Sequence, residues 1–295
     1  MRIPAPNFWP AARTGQRWLL NARRRVTTVD GHRMVYLERG EPGPGRPTVL
    51  LIHGFAAMKE NWAFWLQRLP RQWHLLVPDV PGLGESDYRE DASYRYLAQA
   101  LRLREWLASL STDNIHLVGS SMGGAIAAVL AHEMAQAPRS LTLLNSAGIP
   151  EHPDVDLDLP FETDRDDLLI PEDWKGVYRM FNSVGNGKAT GTGIAMAGLL
   201  GPDLLSRTDA LRHIFADMVS DALAPARYLG PDTPPLQVQW GDRDVITPTR
   251  CVRWFETATP DAEVHVFPRV GHLPMLEIPG KSAAVLERFV ERHAH

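Results

Sequence analysis

Short runs of consecutive apolar residues alternate along this chain with longer stretches in which apolar residues recur at helical spacing. The first kind of pattern reads as buried strand and the second as amphipathic helix. Strands are expected at Arg33 to Glu38, Thr48 to Ile52, His74 to Pro78, Ile115 to Val118, Leu141 to Asn145, Leu236 to Trp240 and Glu263 to Phe267. Helices are expected at Asn61 to Leu69, Tyr94 to Leu110, Ala125 to Gln136 and Lys281 to His293. In the first of these, Trp62, Trp65, Leu66 and Leu69 share one face and read as core. Strands that are apolar throughout, alternating with helices, imply a mostly parallel sheet covered by helices on both faces.

The alternation stops between about Gly148 and Pro235. The interruption opens with Glu151 to Asp173, which carries ten carboxylates against one arginine and reads as a solvated loop. Helical patterns follow at Trp174 to Ser183 and Thr208 to Ala222, separated by a Gly-rich apolar patch, Gly191 to Gly201. That patch, with Ile194, Met196, Leu199 and Leu200, is expected to line a greasy pocket or to form a small core of its own. The expected organisation is therefore an α/β core from residues 1–147 and 236–295, with an inserted, mainly helical segment over 148–235.

Composition narrows the function classes. With 295 residues, a formal net charge of −4 and no basic stripe in the body of the chain, a nucleic-acid partner is not expected. The single cysteine, Cys251, excludes an intramolecular disulfide, and no Cys/His cluster has zinc-ligand spacing. No metal or cofactor is implied. No apolar run approaches the roughly 20 residues of a membrane span, and the start of the chain lacks the apolar core of a signal peptide. A cytoplasmic location is expected. Residues 1–29 differ from the rest. Arg2, Arg13, Arg17, Arg23, Arg24 and Arg25 precede the first acid, Asp30, and are interleaved with Phe8, Trp9, Trp18, Leu19 and Leu20. Residues 1–25 could rest on an anionic membrane surface. The simpler expectation is a helix packed on the protein body with solvated arginines.

The candidate chemistry centres on Gly119-Ser120-Ser121-Met122-Gly123, between an apolar strand and a helix. In that setting the G-x-S-x-G pattern reads as a nucleophile elbow, which exposes the serine oxygen on a strained turn facing a helix N-terminus. A serine hydroxyl needs a base, and an imidazole in turn needs a carboxylate to orient it. Downstream, Asp242 and Asp244 both follow the strand that ends at Trp240, in the place where ligands meet α/β sheets. His272, in Val270-Gly271-His272-Leu273-Pro274, follows the strand Glu263 to Phe267 by a short loop. Serine, acid and base thus come in the chain order expected of such an elbow. Two backbone N–H groups would hold the oxyanion, one from Met122 and one from the loop His53-Gly54-Phe55, in which His53 is expected to shape the loop.

Taken together, His53-Gly54-Phe55, Asp79-Val80-Pro81-Gly82-Leu83-Gly84-Glu85-Ser86, the Ser121 elbow, Gly241 to Pro248 and Gly271-His272 resemble the α/β-hydrolase superfamily over nearly the whole chain. The resemblance implies that the acid is Asp244, the last residue of the G-x-x-D that starts at Gly241, and that residues 148–235 are a cap. It also implies that Phe55 supplies the second oxyanion amide. Within the superfamily, His53 to Trp62 with Ser120-Ser121-Met122-Gly123-Gly124 is similar to monoacylglycerol lipases and related bacterial lipases. A small-molecule or lipid ester is then the expected substrate, and peripheral membrane contact through residues 1–25 is an expectation of the same kind. A serine at the elbow argues against dehalogenases and epoxide hydrolases, whose nucleophile is an aspartate. Two other readings share the triad: a carbon–carbon bond hydrolase of the meta-cleavage type, and a non-hydrolytic protein that senses a small ligand.

Overall fold

The computed structural model describes residues 9–110, 112–157, 166–185 and 191–294. Eight strands form one sheet: β1 (Arg23–Val29), β2 (His32–Arg39), β3 (Thr48–Ile52), β4 (His74–Pro78), β5 (Ile115–Ser120), β6 (Ser140–Leu144), β7 (Leu236–Gly241) and β8 (Glu263–Phe267). Their spatial order is β1-β2-β4-β3-β5-β6-β7-β8. β2 is antiparallel to both β1 and β4, and the remaining pairings are parallel. This is the mostly parallel α/β sheet that the apolar runs predict.

The helices are α1 (Trp9–Leu20), α2 (Ala63–Leu66), α3 (Tyr96–Ala108), α4 (Met122–Glu133), α5 (Asp166–Leu169), α6 (Trp174–Val184), α7 (Gly191–Ser206), α8 (Thr208–Val219), α9 (Val252–Ala258), α10 (Pro274–Glu277) and α11 (Pro279–Arg292). Neighbouring side chains on a strand point to opposite faces, so each apolar run serves two cores. Leu50, Ile52, Leu76, Leu117, Leu141 and Leu143 pack into the core shared with α3 and α4. Val49, Leu51, Leu75, Val77, Val118 and Leu144 pack into the other, with α2, α10 and α11. Double coverage is why these strands carry no polar stripe.

Several expectations shift in detail. Arg23–Val29 is a strand, β1, within the segment expected to be a basic-aromatic helix. Its exposed arginines hide the pattern, because an edge strand leaves most of its side chains in solvent. Asn61 to Leu69 is not one helix but a 3-10 turn over Lys59–Trp62 followed by the short α2. Trp62, Trp65, Leu66 and Leu69 are nevertheless buried as expected. The Gly-rich patch is part of α7, which tolerates Pro202 in its interior. Among its named residues Leu200 is buried, Met196 and Leu199 are half-buried, and Ile194 is exposed. Helices α5 to α8 all lie between β6 and β7 in the chain. Residues 158–165 of the acidic run lie outside the described residues, as do Arg2 and Phe8. No helix among the described residues is long and apolar enough to cross a membrane.

Leu117 is fully buried in the central strand β5. Leu117→Ala should lower stability by about 2–5 kcal/mol through lost burial and the cavity left behind. Denaturant unfolding, with the midpoint falling and the slope unchanged, would show it.

Candidate active site

All the sequence-predicted residues come from the carboxyl ends of the parallel strands. Ser121 follows β5 and caps α4 with φ 55° and ψ −122°, a conformation rare for a side-chain-bearing residue and costing about 1–3 kcal/mol. The fold holds it there at several points. The Ser121 N–H donates to the Leu144 carbonyl at 2.9 Å, and the Ser121 carbonyl accepts from Gly124, Ala125 and Ala147 at 2.9–3.2 Å. The flanking glycines are steric necessities. A β-carbon on Gly119 would lie 2.1 Å from the Gly123 carbonyl oxygen, and one on Gly123 would lie 2.2 Å from that of Ile52. The elbow can be this tight only because β3, β5 and α4 meet backbone to backbone.

The His272 and Asp244 side chains meet directly, Nδ1 to Oδ2 at 2.7 Å, both deeply buried. Nδ1 is therefore the ring nitrogen that donates to Asp244, which leaves Nε2 as the nitrogen not engaged by it. Asp244 accepts four further hydrogen bonds: from Asn145 Nδ2 at 2.5 Å, Thr247 Oγ1 at 2.6 Å, and the Ile246 and Thr247 amides at 2.8 and 3.1 Å. Burial raises its pKa, but the charge and hydrogen bond of His272 and the donors on Thr247 and Asn145 outweigh that and hold it below the usual carboxylate range. Asp242 turns away, accepting the Arg269 amide at 2.6 Å. It occupies the turn between β7 and the His272 loop.

The loop after β3 carries Phe55. A β-carbon on Gly54 would lie 3.1 Å from Ser121 Cβ, so this loop backs closely onto the serine. His53 shapes it as expected. Its Nδ1 donates to the Gly54 carbonyl at 2.8 Å and its Nε2 accepts the Val80 amide at 3.0 Å. Burial pushes its pKa down, which suits that neutral tautomer. Met122 opens α4 and is buried.

Two cavities meet at Ser121. One, of about 80 Å³, is lined by Ser121, His272, Asn61, Met180, Phe181 and Leu200. The other, of about 250 Å³, runs under α8 between Ser121, Phe55, Ile149, Phe215, Met218 and Leu223. Helices α6, α7 and α8 thus roof the site. No lysine or arginine lines either cavity among the described residues. A larger surface groove of about 950 Å³ lies along α3, remote from all of these side chains. No group of His, Cys, Asp and Glu among the described residues could hold a metal ion.

The model of the alpha/beta hydrolase fold family matches residues 47–197. Lipase 1 of Psychrobacter immobilis is 31% identical over 265 residues, covering 88% of this chain and 81% of the lipase. The chain belongs to the α/β-hydrolase fold family. Another relative, the monoacylglycerol lipase abhd6-B of Xenopus laevis, is 25% identical over 96% of this chain and 88% of its own. Among solved structures, a bacterial membrane phospholipase A superposes with a TM-score of 0.84 at 26% identity, covering 97% of this chain and 91% of that one.

Sequence reasoning missed three polar residues at the site. Asn145 directly follows β6 and braces Asp244; its local signal is an amide at the carboxyl end of a strand. Thr247 stands inside the Gly241 to Pro248 stretch, unweighted. Glu277 has no local signal. Its carboxylate accepts the Gly271 amide at 3.0 Å and the Leu273 amide at 3.3 Å, clamping both sides of His272.

Two outcomes follow from this geometry. Gly123→Ala should prevent the elbow from closing, with loss of soluble folded protein or a large fall in melting temperature. Asn145→Ala should destabilise the protein by about 1–3 kcal/mol at neutral pH by leaving Asp244 short of a buried donor. A depressed carboxyl pKa stabilises the fold above the ordinary value of about 3.9 and stops doing so as pH falls through the folded-state value. Losing the donor raises that folded-state value. The acid decline in melting temperature should therefore start at the same pH in Asn145→Ala and in the wild type, but be smaller and be complete at a higher pH in the variant.

Proposed function

We propose that the protein is a serine carboxylic-ester hydrolase of the lipase and esterase type, acting on monoacylglycerols or similar lipid esters. The observation that carries this reading is Ser121 lining one cavity with His272, while His272 is hydrogen-bonded to a buried, well-solvated-by-protein Asp244. The lipase relatives and the apolar lining under α8 support a lipid acyl chain as the bound group. In this reading residues 148–235 are a cap over a core of residues 1–147 and 236–295. Residence in the cytoplasm, with peripheral contact to a lipid surface through residues 1–25, belongs to the same proposal.

The reaction begins when His272 Nε2 takes the proton of Ser121 as its oxygen attacks the ester carbonyl carbon. Asp244 keeps His272 in the right tautomer and stabilises the imidazolium. The negative charge that develops on the carbonyl oxygen is held by the Phe55 and Met122 amides, each contributing about 3–4 kcal/mol to the transition state. The N-terminus of α4 adds its partial positive charge. His272 then protonates the departing alcohol, leaving an acyl-enzyme on Ser121. Water, deprotonated by His272, attacks that ester, and the fatty acid leaves.

A carbon–carbon hydrolase of the meta-cleavage type would need a cation for the substrate carboxylate, and the absence of Lys or Arg from the described cavity linings favours the ester reading. Multiple-turnover cleavage would separate it from a ligand sensor. A chain-length series of p-nitrophenyl esters and monoacylglycerols should show turnover peaking at medium or long acyl chains. Ser121→Ala and His272→Ala should each cut kcat by at least about 10⁴-fold, with Asp244→Asn losing about 10⁴-fold. Ester turnover surviving Ser121→Ala would sink the mechanism.

A further inference from the structure

Beneath the loop that carries Phe55 lies a buried charge network with no part in the chemistry above. Lys59 is completely buried. Its Nζ donates to Asp79 Oδ2 at 2.5 Å and to Glu85 Oε2 at 2.7 Å, and lies 3.2 Å from Glu60 Oε1. Asp79 also accepts the Lys59 amide at 2.7 Å and the Glu85 amide at 2.7 Å. A β-carbon on Gly84 would lie 2.1 Å from the Asp79 carboxyl carbon, so the 79–86 loop is wrapped tightly around this carboxylate. One aspartate thereby ties the loop after β3 to the loop after β4.

Three acids around one lysine leave an excess of negative charge, which is costly in a buried place. The N-terminal segment supplies the balance. Arg17 of α1 pairs with Glu85 at 2.5 Å and lies 3.6 Å from Glu60. Arg13 of α1 lies 3.7 Å from Glu60 and reaches Met58 Sδ at 3.4 Å, inside the same loop. Arg24 of β1 pairs with Glu85 at 3.2 Å. Burial alone would raise the Glu85 carboxyl, but Lys59, Arg17 and Arg24 pull it down to about 2. Arg13 and Arg17 are thus not the solvated face that the sequence suggests, whereas Arg23, Arg24 and Arg25 are exposed.

We infer that α1 is a positioning element for the loop carrying the Phe55 amide, acting from Arg17 through Glu85, Lys59 and Asp79, so that turnover depends on α1 being seated. Arg17 touches no reacting atom and is a positioning residue. The inference rests on the oxyanion role given to Phe55 in the ester-hydrolase reading. If α1 lifts away, Glu85 and Glu60 lose their guanidinium partners, the Lys59 clamp loosens, and the amide drifts from the carbonyl oxygen it must hold. A misplacement of this size lowers kcat more than substrate affinity, because the oxyanion forms only in the transition state.

The test compares the full chain with Arg17→Ala, Arg17→Lys and Glu85→Gln variants. Kinetics on a short soluble ester, melting temperature and amide hydrogen exchange over residues 54–60 are measured for each. Arg17→Ala should lower kcat about tenfold, equivalent to about 1.4 kcal/mol, with KM within about twofold. Its 54–60 amides should exchange faster while those of β5 stay protected. Arg17→Lys should recover most of the rate. Adding Glu85→Gln to Arg17→Ala should cost less than the sum of the two single changes, because both break one pair. Unchanged exchange over 54–60, or a fall in melting temperature with kcat intact, would overturn the inference. The result for the ester reading is separate. Turnover that survives Ser121→Ala would overturn that reading, whereas faster exchange over 54–60 in Arg17→Ala would still establish the coupling of α1 to the loop.

Discussion

The site depends on one close backbone contact, that of Gly123 in the first turn of α4 against the Ile52 and His53 carbonyl oxygens at the end of β3. No side chain larger than hydrogen can occupy that space. The contact lets α4 begin directly beneath the serine, which forces Ser121 to a positive φ and raises its oxygen above the sheet edge. Strain at this residue is held because the Ser121 amide and carbonyl are both hydrogen-bonded and β3 and β5 are locked in parallel register. The His272 and Asp244 loops then need only extend from the ends of β8 and β7 to reach the same edge.

Around that contact the polar groups divide into two kinds. Asn145, Thr247 and Glu277 hold Asp244 and the His272 loop through short, direct hydrogen bonds. Lys59, Asp79 and Glu85 act one layer further out, on the loop that faces the serine from the other side. The second group is ionic and buried, so its stability rests on complete pairing rather than on any one bond. That is why residues as distant in the chain as Arg17 and Arg24 converge on it. A helix near the N-terminus and an edge strand complete a network on the loop that backs onto the Ser121 elbow.

The roof of the site is built differently. Helices α6, α7 and α8 contact the cavities through Met180, Phe181, Leu200, Phe215 and Met218, and bring no charged side chain into them. They are joined to the core by polar contacts at their margins, such as Asp217 accepting from the Tyr94 amide and the Ser93 hydroxyl. The result is an apolar ceiling over a polar floor.

The amino-acid sequence by itself determined the α/β architecture, because strands covered on both faces must be apolar throughout and elbow turns must be glycine-rich. It also singled out Ser121, Asp244 and His272 by residue type and chain order, and preferred Asp244 to Asp242 through a motif rather than through physics; the fold brings His272 against Asp244 and onto one cavity with Ser121. Strand β1 was not legible, since an edge strand with outward arginines carries no apolar period. The break between the 3-10 turn and the short α2 was not either, because Trp62 and Trp65 bury alike in one helix or in a tighter turn followed by a short one. Asn145, Glu277 and the partners of Lys59 could be found only once the chain had folded. Each is a polar residue whose meaning is a partner far away in sequence, and local pattern holds no information about distant partners. Tertiary structure alone made Arg13 and Arg17 partners of Glu60 and Glu85, because burial, not sequence spacing, decides which charges must be paired.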